Sequence, residues 1–547
     1  MNTLWHRRLI LLAGVFLLVP RLLGQSTPLH TVPAGNFRIA GTVVSATTGH
    51  PLARAQVTLS NARNRQETQL AIASDEGRFE FRVNAGKYGL QASKRGFIAA
   101  AYDQHEQFST AIVTGAGLDT ENLFFRLAPD AVIAGKVLDE AGEPVREASV
   151  TLYREDRQSG VGRIRAFNQD ATDDQGGFEF APLDGGIYFV AVSGKPWYAV
   201  HPITAQPGVP APVVDESLDV AYPTTYYGDS TEADDATPIP LRGGDHAEIE
   251  IHLTPTPALH LFFHTSENER AFAVPFLQKP AFDGVDNVPN DGLQRVAPGV
   301  YEMTGVPAGR YSVHPAGRGG DQASAGEVDL TSNGQELAPI SNEATTSIKA
   351  TVQLLAGGPV PAQMQVALRS PGRRIAAVGA VNDKGEVEFH DVTPGTYQVI
   401  AGSPTTAYAV SRIVGSEHET SGHTLVVPQG ASLSITLVLV AGKVTVEGVA
   451  QRNSKPASGA MIVLVPKDPE SGRELFRRDQ SDQDGSFTLR GVVPGSYTIL
   501  AIEDGWDLDW AKPAVIAHYA AKGKTILVKD QASGTLKVPE PVAVQTK

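Results

Sequence analysis

Five times along the chain a glycine is followed by a short alternating strand, a second glycine and a tyrosine. The copies read GRFEFRVNAGKY at 77–88, GGFEFAPLDGGIY at 176–188, GVYEMTGVPAGRY at 299–311, GEVEFHDVTPGTY at 385–397 and GSFTLRGVVPGSY at 485–497. The two glycines lie nine residues apart in the first copy and ten apart in the other four. Self-similarity at this scale makes the chain an array of like units. Within a copy, Phe79, Phe81 and Val83 alternate with Arg78, Glu80 and Arg82, the period-two pattern of a half-buried strand. The tyrosine opens a second such strand, as in Tyr88, Leu90 and Ala92 or Tyr497, Ile499 and Ala501. The glycines fit tight turns that need φ > 0, and Pro394 and Pro494 pre-set the turns they enter.

Further strands sit upstream at consistent offsets. An opening strand runs through Ile39, Gly41 and Val43, through Ile133, Gly135 and Val137, and through Val446, Gly448 and Ala450. A second follows at Ala55–Leu59, Ala148–Leu152 and Ala460–Leu464, with weaker counterparts in the fourth copy and the most diverged ones in the third. A late strand closes each unit, such as Leu123–Leu127, Ile249–Leu253 or Leu433–Leu439. Six or seven short strands per unit is the count of an Ig-like β-sandwich. The expected fold is therefore all-β: a signal peptide at 1–24, then sandwiches at 36–129, 130–255, 256–342, 343–440 and 441–530, and a disordered tail at 531–547. Short proline-containing linkers favour a semi-rigid string.

With 547 residues the chain exceeds one core, and an apolar content of 41% supplies several. Arg7 and Arg8 precede the apolar run Leu9–Val19, which Pro20 ends. That run is too short for a membrane helix and reads as a cleaved secretory signal with its junction at Gly24–Gln25. No transmembrane span is expected after cleavage. The segment holds Arg7, Arg8 and Arg21 and no acidic residue, so removing its three positive charges takes the formal charge of −14 to −17. So acidic a chain is a poor nucleic-acid binder. With no cysteine, disulfides, thiolate metal sites and cysteine nucleophiles are excluded.

The second copy, with Gly135, Pro144, Ala148, Val150, Thr172, Asp173, Gly176, Phe178 and Tyr188, resembles the carboxypeptidase regulatory-like domain. So does the fifth, with Ser481, Asp482, Gly485, Phe487 and Tyr497. The resemblance covers most of the exported chain and implies a transthyretin-like (prealbumin-like) sandwich, a type grouped with carbohydrate-binding-like folds. Such modules occur as appendages of enzymes, transporters and adhesins. Tandem strings with an insertion like Tyr226-Tyr227 resemble those of secreted acidobacterial proteins. The resemblance implies no peptidase activity, because a regulatory module has no catalytic residues to transfer.

No catalytic residue, metal site or cofactor is expected. His264 and Glu267 match a His-x-x-Glu zinc pair, but His390 as a third ligand belongs to another unit. His260 and His264 stand about 13 Å apart along one strand face. His418-Glu419 with His423 misses the helical zinc spacing, and Lys522–Thr525 lacks the first glycine of a phosphate loop. Asp482–Gly485 resembles the start of a calcium loop without its distal carboxylate. Aromatic residues are the binding candidates: Trp506 and Trp510 around an acidic loop, Trp197, and Tyr226 and Tyr227 in the unit-two insertion. Flat apolar rings beside hydrogen-bond acceptors suit sugar stacking; the competing expectation is that these rings pack joints between units. The favoured reading is an exported, non-enzymatic binding or scaffold protein of the cell envelope, periplasmic or at the surface, with a polysaccharide or envelope protein as partner. The alternatives are an accessory or degenerate enzyme with its site in unit three, and a periplasmic partner of an outer-membrane transporter.

Overall fold

The computed structural model describes residues 30–547 except 32–34, 116, 203–214, 265–275, 289–291, 299, 315–325, 338–345, 371–374, 405, 416–418, 431, 471 and 530–533. The signal-like segment and its junction lie outside the described residues. The chain is an all-β string of five sandwiches. In unit one, the opening strand Phe37–Ser45 pairs antiparallel with Arg78–Val83 and parallel with the closing strand Leu123–Leu127. The arrangement recurs around Ala131–Leu138, Leu259–His264, Thr346–Leu354 and Val444–Arg452. A parallel neighbour needs a crossover, and the strands of the facing sheet make it. That sheet is built on the tyrosine strand: Gly86–Ser93 on Gln56–Asn61, Gly186–Ser193 on Ser149–Asp156, Gly309–His314 on Phe276–Ala281, Gly395–Gly402 on Gln365–Arg369 and Gly495–Ile502 on Met461–Pro466.

The signature glycines and tyrosines have a shared physical reason. Gly77, Gly176, Gly385 and Gly485 have φ of 71°, 71°, 78° and 76°. A Cβ at Gly77, Gly176 or Gly485 would sit 2.6, 2.6 or 2.4 Å from a carbonyl oxygen of the opening strand. Both demands exclude a side chain. Each signature tyrosine is at most 5% exposed and lies in a core of its own. Each also donates its hydroxyl to the carbonyl four residues back: Tyr88 to Asn84 at 3.1 Å, Tyr188 to Asp184 at 2.9 Å, Tyr311 to Pro307 at 2.7 Å, Tyr397 to Thr393 and Tyr497 to Val493 at 2.8 Å. The ring fills the core while its polar tip satisfies the turn.

One expectation is corrected. The segment read as a disordered tail contains the strands Gly534–Lys537 and Val542–Gln545. The first supplies the parallel partner that every opening strand in the chain has. The second pairs parallel with both Val444–Arg452 and Gly495–Ile502, joining the two sheets, and buries Val542 to 3% exposure. Polar, proline-dotted strands this short carry too little alternation to be read from sequence. The string folds back on itself: unit five packs against units one and two. Its strand Met461–Pro466 is buried on both faces. Its outer side lies under Phe476, Trp510 and the helix Pro513–Ala520.

Candidate functional site

The aromatic loop of unit five forms a joint. Trp506 stacks on the imidazole of His105 at 5.0 Å with 8° between planes, and Phe108 meets it at 5.7 Å. Trp510 is 7% exposed. The guanidinium of Arg478 lies 4.2 Å from the Trp510 ring centre and 5.2 Å from that of Phe108, and it grips Glu106 at 3.1 and 2.6 Å. His105, Glu106 and Phe108 belong to unit one. From unit two, the backbone N–H of Gly162 donates to Asp509 at 2.7 Å, and Ala511 N–H donates to the Gly160 carbonyl at 2.9 Å. Trp506 and Trp510 therefore floor a three-unit joint, and the expected open stacking platform is corrected at these two positions.

The turn expected to resemble a calcium loop belongs to the same joint. Three residues before the first signature glycine, Ser74, Asp173 and Asn382 each accept hydrogen bonds from their own turns. Asp482 is the counterpart in unit five, but its carboxylate accepts from Ala111 N–H at 2.9 Å and Lys87 Nζ at 2.7 Å. Gln483 N–H donates to the Ala111 carbonyl at 3.1 Å, and its side chain accepts from Val113 N–H at 3.1 Å. The turn thus docks along the unit-one strand Ile112–Thr114. Behind it, burial pushes the Asp479 carboxyl up to about 6, against hydrogen bonds from Thr488 and Gln480 N–H that favour its ionised form. An acid raised on folding stabilises the fold below its unfolded value near 3.8 and loses that contribution as pH rises through about 6. Asp479→Asn is therefore expected to raise stability at neutral pH, by on the order of 2 kcal/mol, and to flatten the decline between those two values. Melting temperatures across that range check it; a variant that melts lower at neutral pH would contradict it.

A second joint links units two and three. Phe282 of unit three packs on Tyr153, Phe189 and Tyr226. Tyr153 donates to Asp286, whose carboxyl burial raises. Tyr226 is fully buried here, and Tyr227 is half-buried against the unit-two core; neither is an exposed platform. Nearby, His260 places Nδ1 2.8 Å from Glu302 and Nε2 2.9 Å from Asp219, which also meets His201 at 2.8 Å. Their side chains are 8%, 0%, 12% and 8% exposed for His260, Glu302, Asp219 and His201. Sequence reasoning missed this cluster because Glu302 occupies the outward position that Glu80, Glu179 and Glu388 hold in other units.

Trp197 differs from the other candidates. It is 87% exposed at the end of unit two, its ring edge-on to Tyr198 at 5.8 Å. Tyr198 and Tyr222 both donate to Glu140. Burial works against the Glu140 carboxylate, but these bonds and its own backbone N–H hold it below the usual range. Burial, with Glu140 as acceptor, pushes Tyr198 up to about 12. Gly194, Lys195 and Pro196, just before Trp197, line a cavity of 150 Å³ shared with Lys279 and Tyr311 of unit three.

Among the described residues the histidine motifs bring no site together. His390 stands exposed, with Glu388 3.9 Å away, and His423 meets Gln398 at 3.1 Å. The His264 side chain, Glu267 and His418 lie outside the described residues. Among the described residues no group of three or more His, Asp or Glu side chains is arranged to hold a metal ion, and no helix is long and apolar enough to cross a membrane.

With the repeated sandwich and its turns in place, the sequence finds its counterpart. Residues 38–120 match the carboxypeptidase regulatory-like domain. Residues 438–527 match a second module type, the second β-sandwich domain of the BOS complex subunit NOMO1-like family. The matched residues 38–120 include Glu106, which holds Arg478 across the joint. No curated protein matches the chain. Among solved structures, the Bacillus anthracis TIE protein aligns at 10% identity over 74% of each chain, with a TM-score of 0.17. A streptococcal ancillary pilin aligns at 12% identity over 52% of this chain and 100% of its own, with a TM-score of 0.20. The major pilin subunit BcpA of Bacillus cereus aligns at 10% identity over 74% and 99%, with a TM-score of 0.14. Likeness at this level does not extend to function.

Proposed function

We propose that the chain is an exported, non-catalytic scaffold of the cell envelope that holds polysaccharide at the end of unit two through Trp197. The observation that carries this reading is the 87% exposure of Trp197, set against the packing of every other aromatic candidate. An indole left in water gains free energy when a flat apolar face covers it, and the CH face of a sugar is such a surface. Glu140 and the tyrosines beside it offer acceptors and donors for the hydroxyls. The interlocked joints support the scaffold part: aromatic, Arg, Glu and Asp side chains of the kind used in binding sites are engaged between units. The apolar run Leu9–Val19 supports export.

Trp197→Ala is expected to lower retention on an insoluble polysaccharide about tenfold while shifting the melting temperature by no more than a degree or two, because an exposed ring contributes little to the fold. Retention equal to that of the unaltered chain would remove Trp197 from the reading. A second reading, an enzyme centred on unit three, draws on the convergence of His201, Asp219, His260 and Glu302. Their burial argues for a structural tie. A hydrolytic activity lost in His260→Gln with the fold intact would favour the enzyme.

A further inference from the structure

We propose that the groove between the outer face of the unit-two sheet and the hairpin of unit three binds a neutral oligosaccharide. The inference rests on the reading that the ligand is a glycan, and adds a second site and a ligand class.

The groove has a volume of 560 Å³ and takes polar side chains from both units: Ser149, Thr151, Gln169, Ser193 and Thr224 from unit two and Asn287 from unit three. That volume lies within the usual range for small-molecule sites. On Ser149–Asp156, Val150 and Leu152 face the core, so Ser149 and Thr151 must face out. Gln169 stands opposite Thr151 across the strand pair. Hydroxyls and carboxamides both donate and accept, which is what neighbouring hydroxyls on a sugar ring require. No lysine, arginine or histidine lines the groove, and its one charged residue, Asp286, is engaged by Tyr153. None of the lining residues supplies a cation for a phosphate or sulfate, and the nearby Arg154, over the Phe167 ring at 5.2 Å, is paired with Asp184 at 3.4 Å.

The lining is also held in place. Gln169 Nε2 donates to Ser149 Oγ at 2.6 Å, Ser193 and Thr224 hydroxyls lie 3.0 Å apart, and Asn287 Oδ1 accepts from Gln278 at 3.0 Å. The hairpin wall is pinned where Asp283 accepts from Ile164 N–H at 2.8 Å and Phe282 enters the joint. A bulge in Arg163–Ala171, opposite Leu152 and Tyr153, leaves Phe167 as the extra residue, 52% exposed at the rim. Thr224 lines both this groove and the 150 Å³ cavity whose wall ends at Pro196, next to Trp197.

The test screens the full mature chain against immobilised neutral and acidic oligosaccharides, then titrates the best neutral one by calorimetry. Gln169→Ala, Asn287→Ala and Thr151→Val, which keeps side-chain volume, are each expected to weaken its binding about tenfold, as loss of one well-made polar contact does, without a change in melting temperature for Gln169→Ala and Thr151→Val and with a lower one for Asn287→Ala, which takes the acceptor from the buried Gln278. If Trp197→Ala weakens binding and the three groove variants bind normally, the groove proposal is overturned and the Trp197 reading stands. If the groove variants weaken binding and Trp197→Ala does not, the groove stands and the platform fails. Binding of acidic glycans alone, or of none, overturns the groove.

Discussion

Replacing Arg478 by alanine is expected to detach unit five from unit one. The Arg478 side chain is 3% exposed and that of Glu106 16%, so the pair is covered by the two units it joins. Removing one partner of a covered, two-pronged pair leaves the other charge uncompensated, at a cost of about 3–5 kcal/mol. The guanidinium also packs on Trp510 and Phe108, contacts worth about 1–2 kcal/mol when desolvated. Other ties include the Trp506 stack on His105 and Phe108, Lys87 to Asp482, Gln480 to Asp103 and the docked turn at Ala111. They are individually smaller and spread along the joint. Small-angle scattering of the variant is expected to show a larger maximum dimension, and calorimetry to resolve a unit-five transition at lower temperature. Arg478→Lys keeps the charge but loses the fork, and should fall between. A double-mutant cycle with Glu106→Ala isolates the pair energy. An unchanged scattering profile together with an unchanged melt in Arg478→Ala would show that this joint does not hold the chain together.

Tyr188→Ala is expected to destabilise unit two by about 3–5 kcal/mol through the cavity it leaves. Tyr188 is fully buried, in the core that also holds Phe180, Val190 and Ile239. Tyr188→Phe removes only the hydroxyl that reaches the Asp184 carbonyl, and should cost about 1 kcal/mol. The core around Tyr397 in unit four shares no residue with that of unit two. Hydrogen exchange resolved along the sequence should therefore show unit two exchanging faster while unit four keeps its protection. Equal loss of protection in both would mean that the five cores unfold as one.

The repeat was legible because each of its residues answers to a local demand. Gly77 and its counterparts sit where a Cβ meets backbone, the tyrosines close a four-residue turn, and alternation sorts core from outer face. Of the aromatic candidates, only Trp197 stays open among the described residues, 87% exposed. At Trp510 the same kind of residue is covered by its own unit's outer layer and by Arg478. At Tyr226 it is covered by Phe282 of the next unit.

A period-two pattern states which side of a strand a side chain takes, and that much the amino-acid sequence determined: five all-β units, their cores, and the tyrosine anchored in each. It does not state what lies against the other side. Glu80 and Glu388 have side chains 41% and 52% exposed, while Glu302 at the equivalent position has 0% and lies against His260. Asp482 leaves its own turn for Lys87, 395 residues away. Which outer faces meet is decided by contacts between groups that far apart, each gaining or losing only by what the other unit presents. Only the tertiary structure could decide it, since a local pattern is the same whether water or another sandwich covers it.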